Sequence, residues 1–175
     1  MGERGSDLEQ IKKNGPLCRV VKDGEHFPFI IATPQCPAGA WWDSWKLIEL
    51  VKHLVSKYQV DRHRIYLTGV SMGGSGVLKL ASEYPEYFAA VAAVCPFFTP
   101  LDPVTLAHTP TWFFHGAKDE VVPATDSERM VNWIKSVTTN QKVRFTVFPN
   151  LGHNCWREVY GNQELYTWLL THSRN

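Results

Sequence analysis

A serine, a carboxylate and a histidine, each placed where an apolar run gives way to a turn, carry the chemistry legible in this chain. Ser71 lies in Gly69-Val70-Ser71-Met72-Gly73, after the run Arg64-Ile65-Tyr66-Leu67-Thr68 and before a helix-like stretch from Gly74 to Tyr84. A strand that turns abruptly into a helix needs glycine at both flanks of the turning residue, which leaves the serine hydroxyl projecting outward. The five-residue pattern alone recurs by chance in Gly-rich turns; the strand before it and the helix after it give it weight. Asp119 falls in His115-Gly116-Ala117-Lys118-Asp119-Glu120-Val121-Val122-Pro123, just beyond the apolar Trp112-Phe113-Phe114. His153 ends the loop Pro149-Asn150-Leu151-Gly152-His153, which follows a strand-like alternation of Val143, Phe145 and Val147 with Arg144 and Thr146.

These residue types define one reaction. A serine hydroxyl is a poor nucleophile at neutral pH, so a neutral imidazole, here His153, takes its proton as it attacks a carbonyl. A carboxylate on the other ring nitrogen, here Asp119, holds the tautomer and stabilises the imidazolium that forms. The resulting oxyanion needs donors, of which the backbone N–H of Met72 is the expected first. Rivals exist for both partners. Asp102, Glu120 and Asp126 compete as the acid, Asp102 most strongly because it follows the preceding strand. His26, His53, His63, His108, His115 and His172 compete as the base. Of these only His115 ends a strand, and it precedes the acid, so packing or hydrogen bonding beneath the site is its expected role.

With these stretches in view, the chain resembles the phospholipase/carboxylesterase and dienelactone-hydrolase group of α/β-hydrolases, in particular its bacterial esterase and "predicted peptidase" branch. Gly2-Glu3-Arg4-Gly5-Ser6-Asp7, Pro34-Gln35-Cys36-Pro37 and Gly152-His153-Asn154-Cys155-Trp156 fit the same branch. The resemblance implies hydrolysis of carboxylic esters through an acyl-enzyme, with no metal and no organic cofactor. It also implies a strand ending in His-Gly just before the Gly-Glu-Arg-Gly segment, in the middle of the sheet, whose loop gives the second oxyanion donor. The chain starts at Met1-Gly2-Glu3-Arg4, so the reading is of an N-terminally truncated fold.

Unpaired backbone groups inside a sheet are costly. Three outcomes are therefore expected as alternatives: the 29–33 strand shifts inward to pair with 65–70, a second copy lends a segment as a homodimer or strand exchange, or the chain is a fragment. Met1 or Gly2 offers an amide for the oxyanion in place of the absent loop.

The chain has 175 residues, 44% of them hydrophobic, enough for one core, and 1–175 reads as a single soluble domain. Eighteen Lys and Arg against 17 Asp and Glu leave a net charge of +1, which gives no pull toward nucleic acid or an anionic membrane. No apolar run is long enough to span a bilayer and no leader is visible, and the compartment stays open. Cys18, Cys36, Cys95 and Cys155 lack C-x-x-C or zinc-site spacing, so buried free thiols are expected.

The elements follow from periodicity. A short helix over 7–14 is expected, capped by Ser6 or Asp7 and stopped by Gly15-Pro16. A buried strand follows at 29–33, then a helix presenting Leu47, Leu50, Val51, Leu54 and Val55. After the elbow come a helix with Val77, Leu80 and Ala81, a continuous apolar strand over 89–95, and a helix opened by a Thr125-x-x-Glu128 capping box. Leu165, Trp168 and Leu169 mark the last helix. This alternation predicts a three-layer α/β/α sandwich on a mostly parallel sheet. Trp41, Trp42, Trp45, Trp156, Phe97 and Phe98 either line a substrate pocket or fill the core. The short stretch 97–108 leaves no room for a large lid, which predicts a serine esterase for small or short-acyl esters. A serine peptidase or acyltransferase on the same triad, or a catalytically weak ligand-binding domain, is the alternative.

Overall fold

Four strands of mostly Val, Ala, Phe and Trp build the centre of the fold, and such runs suit a sheet covered on both faces. The computed structural model describes residues 3–138 and 142–174. Strands β1 (Tyr66–Val70), β2 (Ala90–Val94), β3 (Thr111–Gly116) and β4 (Val143–Phe148) lie in the order β1-β2-β3-β4. All three pairings are parallel, with Thr68 opposite Ala92, Ala92 opposite Trp112 and Phe113 opposite Phe145.

Two apolar cores lie on the two sides of this sheet. Val91, Ala93 and Phe113 point to one, shared with Ile48 of α2 (Ser44–Lys57), Leu78 of α3 (Met72–Glu83) and Met130 and Ile134 of α5 (Ala124–Val137). Ala92, Val94 and Phe114 point to the other, shared with Val159 and Tyr160 of α6 (Trp156–Gly161) and Leu165 and Leu169 of α7 (Gln163–Leu170). The period-2 alternation of each strand sends successive side chains to opposite cores, which yields the three-layer α/β arrangement expected.

Several local expectations are corrected. Residues 10–13 form only a 3₁₀ turn, with the Asp7 carboxylate accepting from the Glu9 N–H at 3.0 Å. Gly15-Pro16 does not stop a helix but opens α1 (Gly15–Asp23), since proline in the first turn sacrifices no intrahelical bond. Thr125 lies inside α5, whose first turn has no side-chain cap, so the capping box is not formed. A short α4 (Pro103–Leu106) is capped by Asp102, and α6 (Trp156–Gly161) adds a further short helix before the last one.

The largest correction concerns 29–33, which forms no strand and pairs with none among the described residues. Its exposure alternates residue by residue, with Ile30 64% exposed, and Phe29 reaches β1 only by its ring, edge-on to Tyr66 at 5.8 Å. Pro28 and Pro34 bracket it and remove two backbone donors. The expected inward shift onto 65–70 therefore does not occur.

On β1 the Ser71 N–H donates to Val94 O at 2.8 Å, so by alternation the peptide groups of Leu67 and Gly69 face β2 and those of Thr68 and Val70 face away. Beside that free edge runs a cavity of about 800 Å³, walled by Leu50, Val51 and Leu54 on one side and Tyr160, Tyr166 and Leu169 on the other. β1 is accordingly only half-buried, whereas every residue of β2 is buried.

An open strand edge between apolar walls favours association with a second copy. We expect sedimentation velocity to show concentration-dependent dimers that the paired substitutions Val51→Asp and Leu54→Asp weaken. A strict monomer across the whole accessible concentration range counts against it.

Candidate active site

β1 ends at Val70, and the chain reverses at Ser71 into α3. Ser71 takes φ 55° and ψ −116°, a conformation that a side-chain-bearing residue adopts only when its surroundings enforce it. A Cβ on Gly69 would stand 2.3 Å from the Gly73 carbonyl oxygen, so glycine is required on the strand side of the turn. On the helix side the requirement falls one residue later than the pattern implies. Gly73 faces open space, while a Cβ on Gly74 would meet the Val94 carbonyl at 2.8 Å. The buried Met72 begins α3, which leaves its amide among the first, unpaired N–H groups of a 12-residue helix, next to the serine.

β3 carries the acid. Asp119 follows the strand's last residue, Gly116, by three positions, and its side chain is fully buried. Oδ1 accepts from the N–H groups of Val121 at 2.9 Å and Val122 at 2.8 Å. Oδ2 lies 2.7 Å from His153 Nδ1. Burial pushes the carboxyl up, but the Val122 amide, His153 and the Val121 amide outweigh it, and the group is held below the ordinary carboxylate range.

Beneath it, His115 is buried. Its Nε2 faces the Val122 carbonyl at 2.9 Å, so Nε2 carries a proton, and Nδ1 then accepts from the Ser127 hydroxyl at 2.8 Å. The same Nε2 lies 3.2 Å from Asp119 Oδ2. His115 thus props the acid loop, the role read from its position before the acid.

β4 ends at Phe148, and the loop after it delivers His153 at the start of a 3₁₀ turn (His153–Cys155). Close approach of two loops makes this possible: a Cβ on Gly116 would lie 2.3 Å from the Gly152 carbonyl. His153 Nε2 comes to 3.1 Å from Ser71 Oγ. The structure therefore brings Ser71, His153 and Asp119 into one hydrogen-bonded chain, with Nδ1 donating to the carboxylate and Nε2 free to accept from the hydroxyl.

The rival acids are engaged elsewhere. Asp102 caps α4 through the Val104 N–H at 3.0 Å and the Thr105 hydroxyl, Asp126 accepts from the Phe98 N–H at 2.9 Å, and Glu120 is exposed. Met1 and Gly2, the expected source of a further oxyanion amide, lie outside the described residues.

Cys95, at the end of β2, also reaches this site. Its thiol, the Asp119 carboxylate and the His153 ring offer donor atoms within 4.8 Å of one another. Both ring nitrogens of His153 are already engaged by Asp119 and Ser71, at 2.7 and 3.1 Å. The neighbouring Cys155 thiol and burial push the Cys95 thiol up. All four cysteines are free and buried.

The aromatic candidates divide. Trp156 is buried and Trp45 is 64% exposed on α2, whereas Trp41 stands 6.4 Å from Phe97 beside the elbow. Gln35 is a loop clamp, donating to Glu3 O at 2.9 Å and Asp7 O at 3.0 Å; Asn154 is exposed. Among the described residues no helix is long and apolar enough to cross a membrane.

A parallel sheet with a strained serine between β1 and a helix, an acid after β3 and a histidine after the last strand is the α/β-hydrolase arrangement. The chain belongs to the Esterase family, whose model matches residues 30–168. It is similar to feruloyl esterase B of Talaromyces stipitatus, with 43% identity over 51 residues, covering 29% of this chain and 14% of that protein. It is also similar to acetylxylan esterase A of Aspergillus ficuum, with 31% identity over 81 residues, covering 38% and 27%. Among solved structures, a thermostable esterase superposes with a TM-score of 0.85 at 29% identity, over 99% of this chain and 52% of that one. The chain thus spans about half the length of that structure and smaller parts of the two curated relatives.

The depressed Asp119 carboxyl has a stability consequence of definite sign. Its stabilisation is complete above the unfolded carboxyl value of about 3.9 and is lost as pH falls through the lower folded value. Acid titration of the unfolding free energy should show this loss, and Asp119→Asn should remove that part of the pH dependence. An unchanged profile in the variant would contradict the assignment.

Proposed function

We propose that the chain is a serine carboxylic ester hydrolase that works through an acyl-enzyme on Ser71. The observation that carries this reading is the continuous contact from Ser71 Oγ through the His153 ring to the buried Asp119 carboxylate, at 3.1 and 2.7 Å. Membership of the Esterase family and the esterase relatives support the choice of ester over other acyl compounds.

In the first half-reaction Ser71 Oγ attacks the ester carbonyl while His153 Nε2 takes the hydroxyl proton. The new imidazolium is stabilised by Asp119, which its backbone donors keep ionised. The carbonyl oxygen gains negative charge against the Met72 N–H at the positive end of α3. Collapse breaks the bond to the alkoxy oxygen, which leaves with the proton from His153. Water then adds to the acyl-serine with His153 again as base, and expulsion of Ser71 releases the acid. Short or compact acyl groups are the substrates this reading favours, since only α4 and two brief loops separate β2 from β3 and no lid is built there.

Ser71→Ala should lower p-nitrophenyl acetate hydrolysis by about 10⁴-fold or more and abolish fluorophosphonate labelling. Met72→Ala, which keeps the amide, should cost only a few-fold. Mass spectrometry that locates the probe on any residue other than Ser71 would refute the mechanism.

A further inference from the structure

The segment that precedes α1 places a cation against the residue that follows the nucleophile. Arg4 is half-buried, and its Nε and Nη2 lie 3.1 and 2.8 Å from the Sδ of Met72, the residue that follows the nucleophile. Its guanidinium also stands over the Trp41 ring, 5.3 Å from the centroid. The segment is firmly held: the Gly5 N–H donates to Cys36 O at 2.9 Å, and Gln35 clamps the carbonyls of Glu3 and Asp7. Phe97, whose ring lies 6.4 Å from that of Trp41, is tied to α3 because its N–H donates to Ser75 Oγ at 3.0 Å. Arg4, Trp41 and Phe97 therefore form a contiguous cluster against the first turn of α3.

What this guanidinium lacks is an anion. Among the described residues no carboxylate pairs with it, in contrast to Arg19, Arg64 and Arg144, each of which holds an Asp or Glu. Two of its donor groups rest on a thioether, a weak acceptor, and the rest of the planar fork is unspent. A partly desolvated cation without a counter-charge is costly, and a carboxylate is the ligand that matches its geometry.

Resting on the esterase reading above, we propose that Arg4 is a specificity-determining residue that binds a carboxylate carried by the substrate, so that the preferred esters are half-esters of short dicarboxylic acids. The Trp41 and Phe97 rings then flank the carbon chain between the scissile carbonyl and the terminal anion. One carboxyl of the substrate is the ester that Ser71 attacks; the other stays free and ionised on Arg4.

The test compares kcat/KM for p-nitrophenyl hemiglutarate and p-nitrophenyl butyrate, which share a leaving group and differ in the terminal charge. The native chain should prefer the hemiglutarate. That preference, taken as the ratio of the two kcat/KM values, should fall about tenfold in Arg4→Gln and less in Arg4→Lys, which retains the charge without the fork. Raised ionic strength should weaken it as well. No preference in the native chain, or a variant that slows both esters equally and leaves the ratio unchanged, overturns the proposal, the latter assigning Arg4 to the loop or to the oxyanion. A second arm needs no turnover. In Ser71→Ala protein, monomethyl glutarate should shift the Arg4 Nε–H resonance and methyl butyrate should not; equal responses overturn the proposal. Failure of the native chain to hydrolyse either ester would instead strike the esterase reading, and the resonance titration still decides the role of Arg4.

Discussion

A buried carboxylate that stays ionised is the condition on which the rest of this site depends. The Asp119 side chain has no exposed surface, and burial by itself would favour its neutral acid. Two backbone N–H groups from its own loop and the His153 ring reverse that preference. Because those amides belong to residues two and three positions on, the carboxylate carries its own solvation with it. The loop shape is in turn held by His115, which ties the Val122 carbonyl to Ser127 on α5. A negative charge is thereby fixed within reach of the imidazole whose orientation the chemistry requires.

The serine side is organised by the opposite means, strain in place of hydrogen bonding. Ser71 sits in a backbone conformation that only a tightly packed turn maintains, and the packing comes from the approach of Gly69 to the Gly73 carbonyl and of Gly74 to the Val94 carbonyl. A rigid serine and a rigid acid leave the histidine loop as the element that must fit both. Its contact with β3, at Gly116 and Gly152, is close enough to exclude any side chain. The geometry of the Ser71–His153–Asp119 chain thus follows from the parallel order of β1 to β4, which sets all the strand ends on one rim.

That same sheet is asymmetric. Both β1 and β4 are edge strands among the described residues, but β1, which delivers the nucleophile, keeps its unpaired outer edge against a large apolar cavity. The nucleophile therefore follows a strand none of whose residues is fully buried. Gln35 and Met72 line this cavity and Arg4 lies against Met72, so the segment that would read a substrate adjoins the open side.

Read from the sequence alone, the three chemical residues were legible because each stands at a change of periodicity, and strand ends are where parallel sheets gather their functional loops. The helices over 44–57 and 72–83 and the four strands were legible for the same reason: an apolar face of period 2 or 3.6 records burial directly. Periodicity is silent about backbone partners, which is why 29–33 read as a strand although nothing pairs with it. It is equally silent about capping, so Gly15-Pro16 read as a stop and Thr125 as a cap. Which acid reaches the histidine, which glycine the turn requires, and that Arg4 lies against Met72 without a counter-ion depend on approaches between residues tens of positions apart. Local residue pattern carries the chemistry and the burial of each segment, but only tertiary packing sets distances across the chain.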